Sequence, residues 1–208
     1  MNAHARHKDG GLVEAMLRET HALLEGHFLL SSGLHSDRYC QCAKLLEHPE
    51  KAARCAAMMA ELIGESPVDV VLAPALGGVV WGYELARALG VRSIFAERDE
   101  TRRFSLRRGF ALQAGERVLV AEDVVTTGKS VLELSPLIEA AGARVVGYSA
   151  IVDRSGGRFG EVSGGAPFWS LAALEFETFE RSACPMCAKG MVAVKPGSRP
   201  DAAVGKGV

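Results

Sequence analysis

The chain has 208 residues, 48% of them apolar and 24% charged, enough for one globular domain with a sizeable core. Its formal net charge of −1 gives no overall basic footprint, so nucleic acid is not an expected partner. No apolar run approaches the ~18 residues of a membrane span, and the first ten residues are polar and histidine-rich rather than an apolar signal core, so a cytoplasmic protein is expected.

Apolar residues at Leu12, Val13, Met16, Leu17, Leu23 and Leu24 recur at helical spacing and predict a first helix over 12–24. Short strands are predicted at 28–30 and 38–42 around a Ser31-Ser32-Gly33 turn, whose amides could meet a ligand beside the ring of Tyr39; a plain hairpin is the alternative. Pro49 suits a first helical turn and predicts a helix to about Ile63, which would complete a small N-terminal cap over about residues 1–65. From Val68 the pattern changes to strand 68–73, turn 74–78, helix 79–89 and strand 91–96, a βαβ unit. In its turn, Gly77 and Gly78 follow Leu76 and let backbone N–H groups approach an anion such as pyrophosphate; an ordinary αβ turn is the alternative. The segment 97–109 carries Arg98, Arg102, Arg103, Arg107 and Arg108. Most such runs are solvated faces, but between two apolar segments this one can be an exposed hairpin that closes over a departing anion.

The next segment, V-L-V-A-E-D-V-V-T-T-G-K-S at 118–130, reads as a buried strand, two acids at its C-terminal end, and a hydroxyl- and glycine-rich loop opening a helix over 131–141. Amides at a helix start lack intrahelical partners and carry partial positive charge, so a phosphate fits there. Two carboxylates would repel a bare phosphate, so Glu122 and Asp123 need ribose hydroxyls or a metal-bound water to hold, which suggests a ribose 5-phosphate. The Walker motif G-x-x-x-x-G-K-[ST] fails, because its first glycine would fall on Asp123. A core strand with an N-capped helix and solvated acids is the alternative. Strand 144–152 completes a second βαβ unit, and Arg154 behind it can bind a carboxylate bidentately or make a surface ion pair.

The odd number of cysteines, five, makes a disulfide framework unexpected. Cys184-Pro-Met-Cys187 has the spacing of half a zinc site or of a redox pair, but no second C-x-x-C or neighbouring histidine pair completes it in the sequence, which favours a tight turn with two small buried side chains. Residues 196–208 are rich in breakers and are expected to form a mobile tail. The whole pattern predicts one α/β domain, a mainly parallel sheet flanked by helices over about 66–195, with ligands at the C-terminal strand ends.

Four segments in order, F-L-L-S-S-G-L-H-S-D-R-Y at 28–39, P-A-L-G-G at 74–78, the E-D-V-V-T-T-G-K-S loop and V-D-R-S-G-G at 152–157, resemble those of the type I phosphoribosyltransferases, and of the orotate phosphoribosyltransferases among them. The resemblance implies transfer of the phosphoribosyl group of 5-phosphoribosyl 1-diphosphate (PRPP) to orotate with Mg²⁺, giving orotidine 5'-monophosphate and pyrophosphate, a step of pyrimidine biosynthesis. It implies catalytic roles for Asp123, Glu122 and Arg98. PRPP contacts are implied from Glu122, Asp123, Val124, Val125, Thr126, Thr127, Gly128, Lys129 and Ser130, with Leu76, Gly77, Arg98 and Arg102. Orotate contacts are implied from Thr126, Arg154, Ser31 and Tyr39. It further implies a homodimer in which a mobile arginine loop acts in the neighbouring subunit. Mg²⁺ need not have direct protein ligands, because it often keeps waters and binds through substrate phosphates. The chain departs from parts of the family that have lysine at the Gly77 and Ser31 positions, and the lysines and histidine of the better-known loop pattern are not clearly reproduced. Two other readings stay open, a phosphoribosyltransferase for another base such as a purine, and a regulator that binds PRPP without turnover.

Overall fold

The computed structural model describes residues 9–30 and 32–196, and the backbone alone of 4–6. In chain order its elements are β1 (His4–Arg6), α1 (Gly10–Glu19), β2 (Leu23–Leu29), β3 (His35–Cys40), α2 (Ala43–Leu46), α3 (Pro49–Ile63), β4 (Val70–Pro74), α4 (Gly77–Leu89), β5 (Arg92–Arg98) and β6 (Phe104–Leu106). There follow β7 (Arg117–Val125), α5 (Lys129–Leu132), α6 (Ser135–Ala140), β8 (Arg144–Asp153), α7 (Phe159–Val162), β9 (Phe168–Ala173), β10 (Thr178–Phe179) and α8 (Pro185–Ala188). The chain divides into two compact units, one of Met1–Ala22 with Cys42–Glu175, the other of Leu23–Gln41 with Phe176–Val208. The expected cap over 1–65 is thus distributed between them, and all of the predicted tail beyond Pro196 lies outside the described residues.

The first unit is a seven-stranded sheet in the order β1-β9-β8-β7-β4-β5-β6, parallel throughout except for the antiparallel pair β5–β6. Its central strands are continuous apolar runs because both faces are covered: β4 is buried at every position, as are Val118 to Ala121 of β7. Beneath the loops that follow β7 and β8, the rings of Tyr148, Phe159 and Phe168 pack edge to face, with centroids 5.2 and 4.8 Å apart. Helix α3 begins on Pro49, as its fixed φ favours.

Two predicted helices come out differently. The first ends at Glu19, where the Thr20 hydroxyl donates to the Met16 carbonyl at 2.8 Å, and Leu23 and Leu24 enter β2 instead. These leucines match the helical period, but their apolar surface is used by a sheet of the other unit. The helix expected over 131–141 is broken into α5 and α6, because Pro136 at the start of α6 has no N–H to return to Leu132 and its ring would strike that carbonyl.

The second unit is a three-stranded antiparallel sheet, β10-β3-β2, followed by α8. Among the described residues no helix is long and apolar enough to cross a membrane.

Phe168 is fully buried within the first unit, its ring packed edge to face on Phe159, so Phe168→Ala should cost about 3–5 kcal/mol. A fall in the urea midpoint with an unchanged m-value is the expected result.

Candidate functional site

The parallel order brings the C-terminal ends of β4, β7 and β8, and the loops that leave them, to one edge of the sheet. Glu122 and Asp123 sit there on β7. Opposite them the chain leaves β4 through a cis Ala75–Leu76 peptide and enters α4 at Gly77. A Cβ on Gly78 would lie 2.9 Å from the Ala121 carbonyl oxygen and 3.1 Å from Glu122 Oε1, and one on Gly77 would lie 3.2 Å from Asp123 Oδ1. The glycine pair is therefore what allows the backbone turn to close against the two acids.

The carboxylates are half-buried and lie side by side. Asp123 Oδ1 accepts from the Val124 amide at 2.8 Å, and Glu122 Oε1 from the Asp123 amide at 3.3 Å. Burial, and for Glu122 also the neighbouring Asp123 charge, pushes both carboxyls well above the usual carboxylate range, Glu122 to about 9. No cationic side chain among the described residues offsets them. The pair is thus built to meet positive charge or hydroxyl donors supplied by a ligand.

Beyond the acids, residues 124–131 with Glu122 line a cavity of about 160 Å³. Thr126 and Thr127 are exposed, and Gly128 takes the left-handed conformation with φ of 73°, where an added Cβ would also strike the Phe159 ring. The amides of Lys129, Ser130 and Val131 precede the first intrahelical bond, from the Leu132 amide to the Gly128 carbonyl at 2.9 Å. Because α5 is a single turn, an anion at this loop would meet these local amides rather than the dipole of the long helix expected from the sequence.

Other expected residues take defined places. The Arg154 amide donates to the Val125 carbonyl at 2.7 Å, which sets Arg154 directly beside the loop that carries Thr126. Its turn is held by Asp153, whose Oδ1 accepts from the Ser155 amide and hydroxyl, both at 2.7 Å. The arginine-rich segment is the expected hairpin, with Arg98 opposite Phe104 across β5–β6. Its tip is fixed by Asp99, which accepts from Thr101 Oγ1 at 2.7 Å and the Arg103 amide at 3.0 Å. Arg98 lies over the Phe104 ring and pairs with Glu133 at 2.7 Å, so it stands against the helical turn that follows the phosphate-type loop. Arg108 is engaged with Glu97, while the guanidinium of Arg102 has no partner among the described residues. Leu76 is 82% exposed at the mouth of the glycine turn. Tyr39 belongs to the second unit, where its ring lies 5.9 Å from that of Phe28, and Ser31 lies outside the described residues.

Two supporting residues carried no signal in the sequence. Glu133 holds Arg98, and Phe159 supports Gly128 from below. Their partnerships exist only once distant segments meet, whereas Gly78, which makes the closest approach to the acids, was already marked by the glycine pair of its turn.

The model of the phosphoribosyl transferase domain matches residues 41–166. A relative from Caldicellulosiruptor bescii named orotate phosphoribosyltransferase is 51% identical over 184 residues, covering 88% of this chain and 95% of its own. One of the same name from Sulfurovum sp. is 46% identical over 202 residues, 90% of this chain and 98% of its own. Among solved structures, orotate phosphoribosyltransferase from Mycobacterium tuberculosis superposes with a TM-score of 0.65 at 26% identity, over 79% of this chain and 95% of that one. An adenine phosphoribosyltransferase from Thermoanaerobacter pseudethanolicus, at 20% identity and a TM-score of 0.58 over 66% of this chain and 88% of that one, shares the fold. The chain belongs to the phosphoribosyltransferase family and, within it, to the orotate phosphoribosyltransferases.

A carboxyl whose pKa rises on folding binds more protons folded than unfolded between its two values, so Glu122 makes the ligand-free protein less stable as pH climbs from 4.5 towards about 9. Glu122→Gln should therefore raise the Tm of the ligand-free protein at pH 8, with the difference closing towards pH 4.5. Parallel Tm curves for the two proteins would refute the buried-acid account.

Proposed function

We propose that this chain transfers the phosphoribosyl group of PRPP to orotate, yielding orotidine 5'-monophosphate and pyrophosphate for pyrimidine biosynthesis. The observation that carries the reading is the Glu122–Asp123 pair, half-buried without a compensating cation between a glycine turn and a phosphate-type loop. Such a pair is satisfied by the two hydroxyls of a ribose whose 5'-phosphate occupies the amides of 128–131.

Displacement at the anomeric carbon passes through a ribosyl cation-like state, by analogy with glycosyl transfer. The carboxylates then do more for the transition state than for the ground state, because positive charge grows beside groups that burial has kept from ionising easily. Thr126 and Arg154, joined through the Val125 carbonyl, would orient orotate, the guanidinium meeting its carboxylate as a planar fork. Arg98, held by Glu133, and the exposed Arg102 would face the leaving pyrophosphate from the hairpin. In the second unit, Tyr39 and Ser31 are assigned to orotate on the family resemblance. An uncompensated acid pair also fits a bound Mg²⁺, which would supply charge neutralisation on the diphosphate and keep waters rather than take dedicated protein ligands.

We read the whole chain as one catalytic domain of a cytoplasmic homodimer whose arginine hairpin serves the neighbouring subunit. Support for self-association is the exposed apolar row Leu76, Val80 and Tyr83 along the first turns of α4, and a net charge of −1 argues against a nucleic-acid partner.

Orotate consumption, followed by ultraviolet absorbance with PRPP and Mg²⁺, tests the assignment. Asp123→Asn should lower kcat by about 100-fold or more, the scale of a lost electrostatic stabiliser. Arg154→Ala should raise the KM for orotate by roughly 10-fold or more, the scale of a lost charge-assisted hydrogen bond. Turnover of uracil or hypoxanthine as efficient as that of orotate would overturn the substrate, and PRPP binding without turnover of any base would overturn the enzyme.

A further inference from the structure

The C-x-x-C motif is not used by the reading of phosphoribosyl transfer given above. In the second unit, Cys184 and Cys187 bracket the first turn of α8, so both thiols project from one short segment. They meet two imidazoles from the β2–β3 hairpin. Cys184 Sγ lies 3.5 Å from His27 Nε2, Cys187 Sγ lies 3.7 Å from His27 Nε2 and 3.4 Å from His35 Nδ1, and the two ring nitrogens are 2.6 Å apart. All four donor atoms lie within 4.8 Å of one another. His27, His35 and Cys184 are buried, and Cys187 is partly so. The sequence offers no histidine near the motif; the fold supplies two from more than 140 residues away, as His35 and Cys187 are 152 positions apart.

The geometry fits a small tetrahedral ion. Zinc bonds of about 2.3 Å to sulfur and about 2.0 Å to nitrogen place tetrahedral ligand atoms roughly 3.3–3.8 Å apart. Three sulfur–nitrogen separations, 3.4 to 3.7 Å, already have that spacing, the remaining donor pairs lie within 4.8 Å, and the two imidazole nitrogens, 2.6 Å apart, would open by under an ångström. The outer contacts are also suitable. His27 Nδ1 lies 2.9 Å from the Met191 carbonyl, an acceptor only, so it carries the proton and leaves the Nε2 lone pair aimed into the cluster. His35 Nδ1 must then donate to His27 Nε2, and metal binding would move that proton to its outer nitrogen.

We propose that His27, His35, Cys184 and Cys187 form a structural Cys₂His₂ zinc site. Two ligands come from each of the two chain segments that make up this unit, so the ion cross-links 23–41 to the segment from Phe176 onward. Such a link matters in a three-stranded unit with few large buried side chains, the class of small fold that a metal stabilises. The two thiols release their protons to solvent, and two thiolates balance the charge of Zn²⁺, so a neutral centre is buried. A ligand set of two sulfurs and two imidazoles favours zinc over Mg²⁺, which takes oxygen ligands.

The test uses the full chain produced with zinc supplied and measured for metal after gel filtration. About one zinc per chain is expected, falling close to none in Cys184→Ser/Cys187→Ser and unchanged in Cys55→Ser, whose thiol is buried in α3 of the other unit. Because the double variant can fail by misfolding, the wild type is also stripped with chelator and titrated with Co²⁺. A thiolate-to-cobalt charge-transfer band with tetrahedral ligand-field bands, saturating at one equivalent and bleached by Zn²⁺, is the supporting result. Wild type that holds no zinc and gives no such band, or full zinc retention in the double variant, would overturn the site. So would a Cys184–Cys187 disulfide in freshly purified protein.

Discussion

The confinement of two carboxyl groups at the end of β7 is the constraint on which the rest of this site depends. Glu122 and Asp123 are drawn out of water by the sheet edge and pressed against the turn at Gly77 and Gly78, and burial together with mutual repulsion opposes their ionisation. A protein that keeps such a pair pays in stability for what the pair does when a ligand arrives. The glycines are part of that arrangement, because any side chain at Gly78 would force the backbone away from Ala121 and open the contact.

Around the acids, each loop is supported from beneath or beside by a group outside it. Phe159 fills the space under Gly128 and continues into the aromatic packing with Tyr148 and Phe168. Asp153 fixes the turn that carries Arg154, and Glu133 holds Arg98. Loops positioned in this way keep their amides and guanidinium groups oriented before a ligand binds, which is where electrostatic stabilisation of a transition state comes from. The hairpin differs in character. Its tip is ordered by short local bonds to Asp99, but its arginines are largely at the surface.

The second unit solves a different problem. It joins two segments far apart in the chain with a small sheet, the bond from the Leu29 amide to the Val194 carbonyl at 2.9 Å, and the cluster of two imidazoles and two thiols. A single ion bound at that cluster would tie four side chains together at a cost in conformational freedom far below that of building a larger core.

Much was determined by the sequence alone. Continuous apolar runs at β4 and β7, each followed by a glycine-bearing turn and a helix, point to a parallel sheet with covered faces, and the acids and hydroxyls of 122–130 suggest an anionic, hydroxylated ligand at a strand end. These features are local, set by spacing and by the residue types a turn or a buried strand tolerates. What only the tertiary structure decided is non-local. Leu23 and Leu24 obey a helical period yet become strand, because apolar periodicity does not say which neighbour will cover a face. The pairing of Arg98 with Glu133, the seat of Phe159 beneath Gly128, and the meeting of His27 and His35 with Cys184 and Cys187 each join residues whose separation along the chain carries no information about distance in space. Chemistry that depends on which side chains share a few cubic ångströms is written in the sequence only as candidates, and packing selects among them.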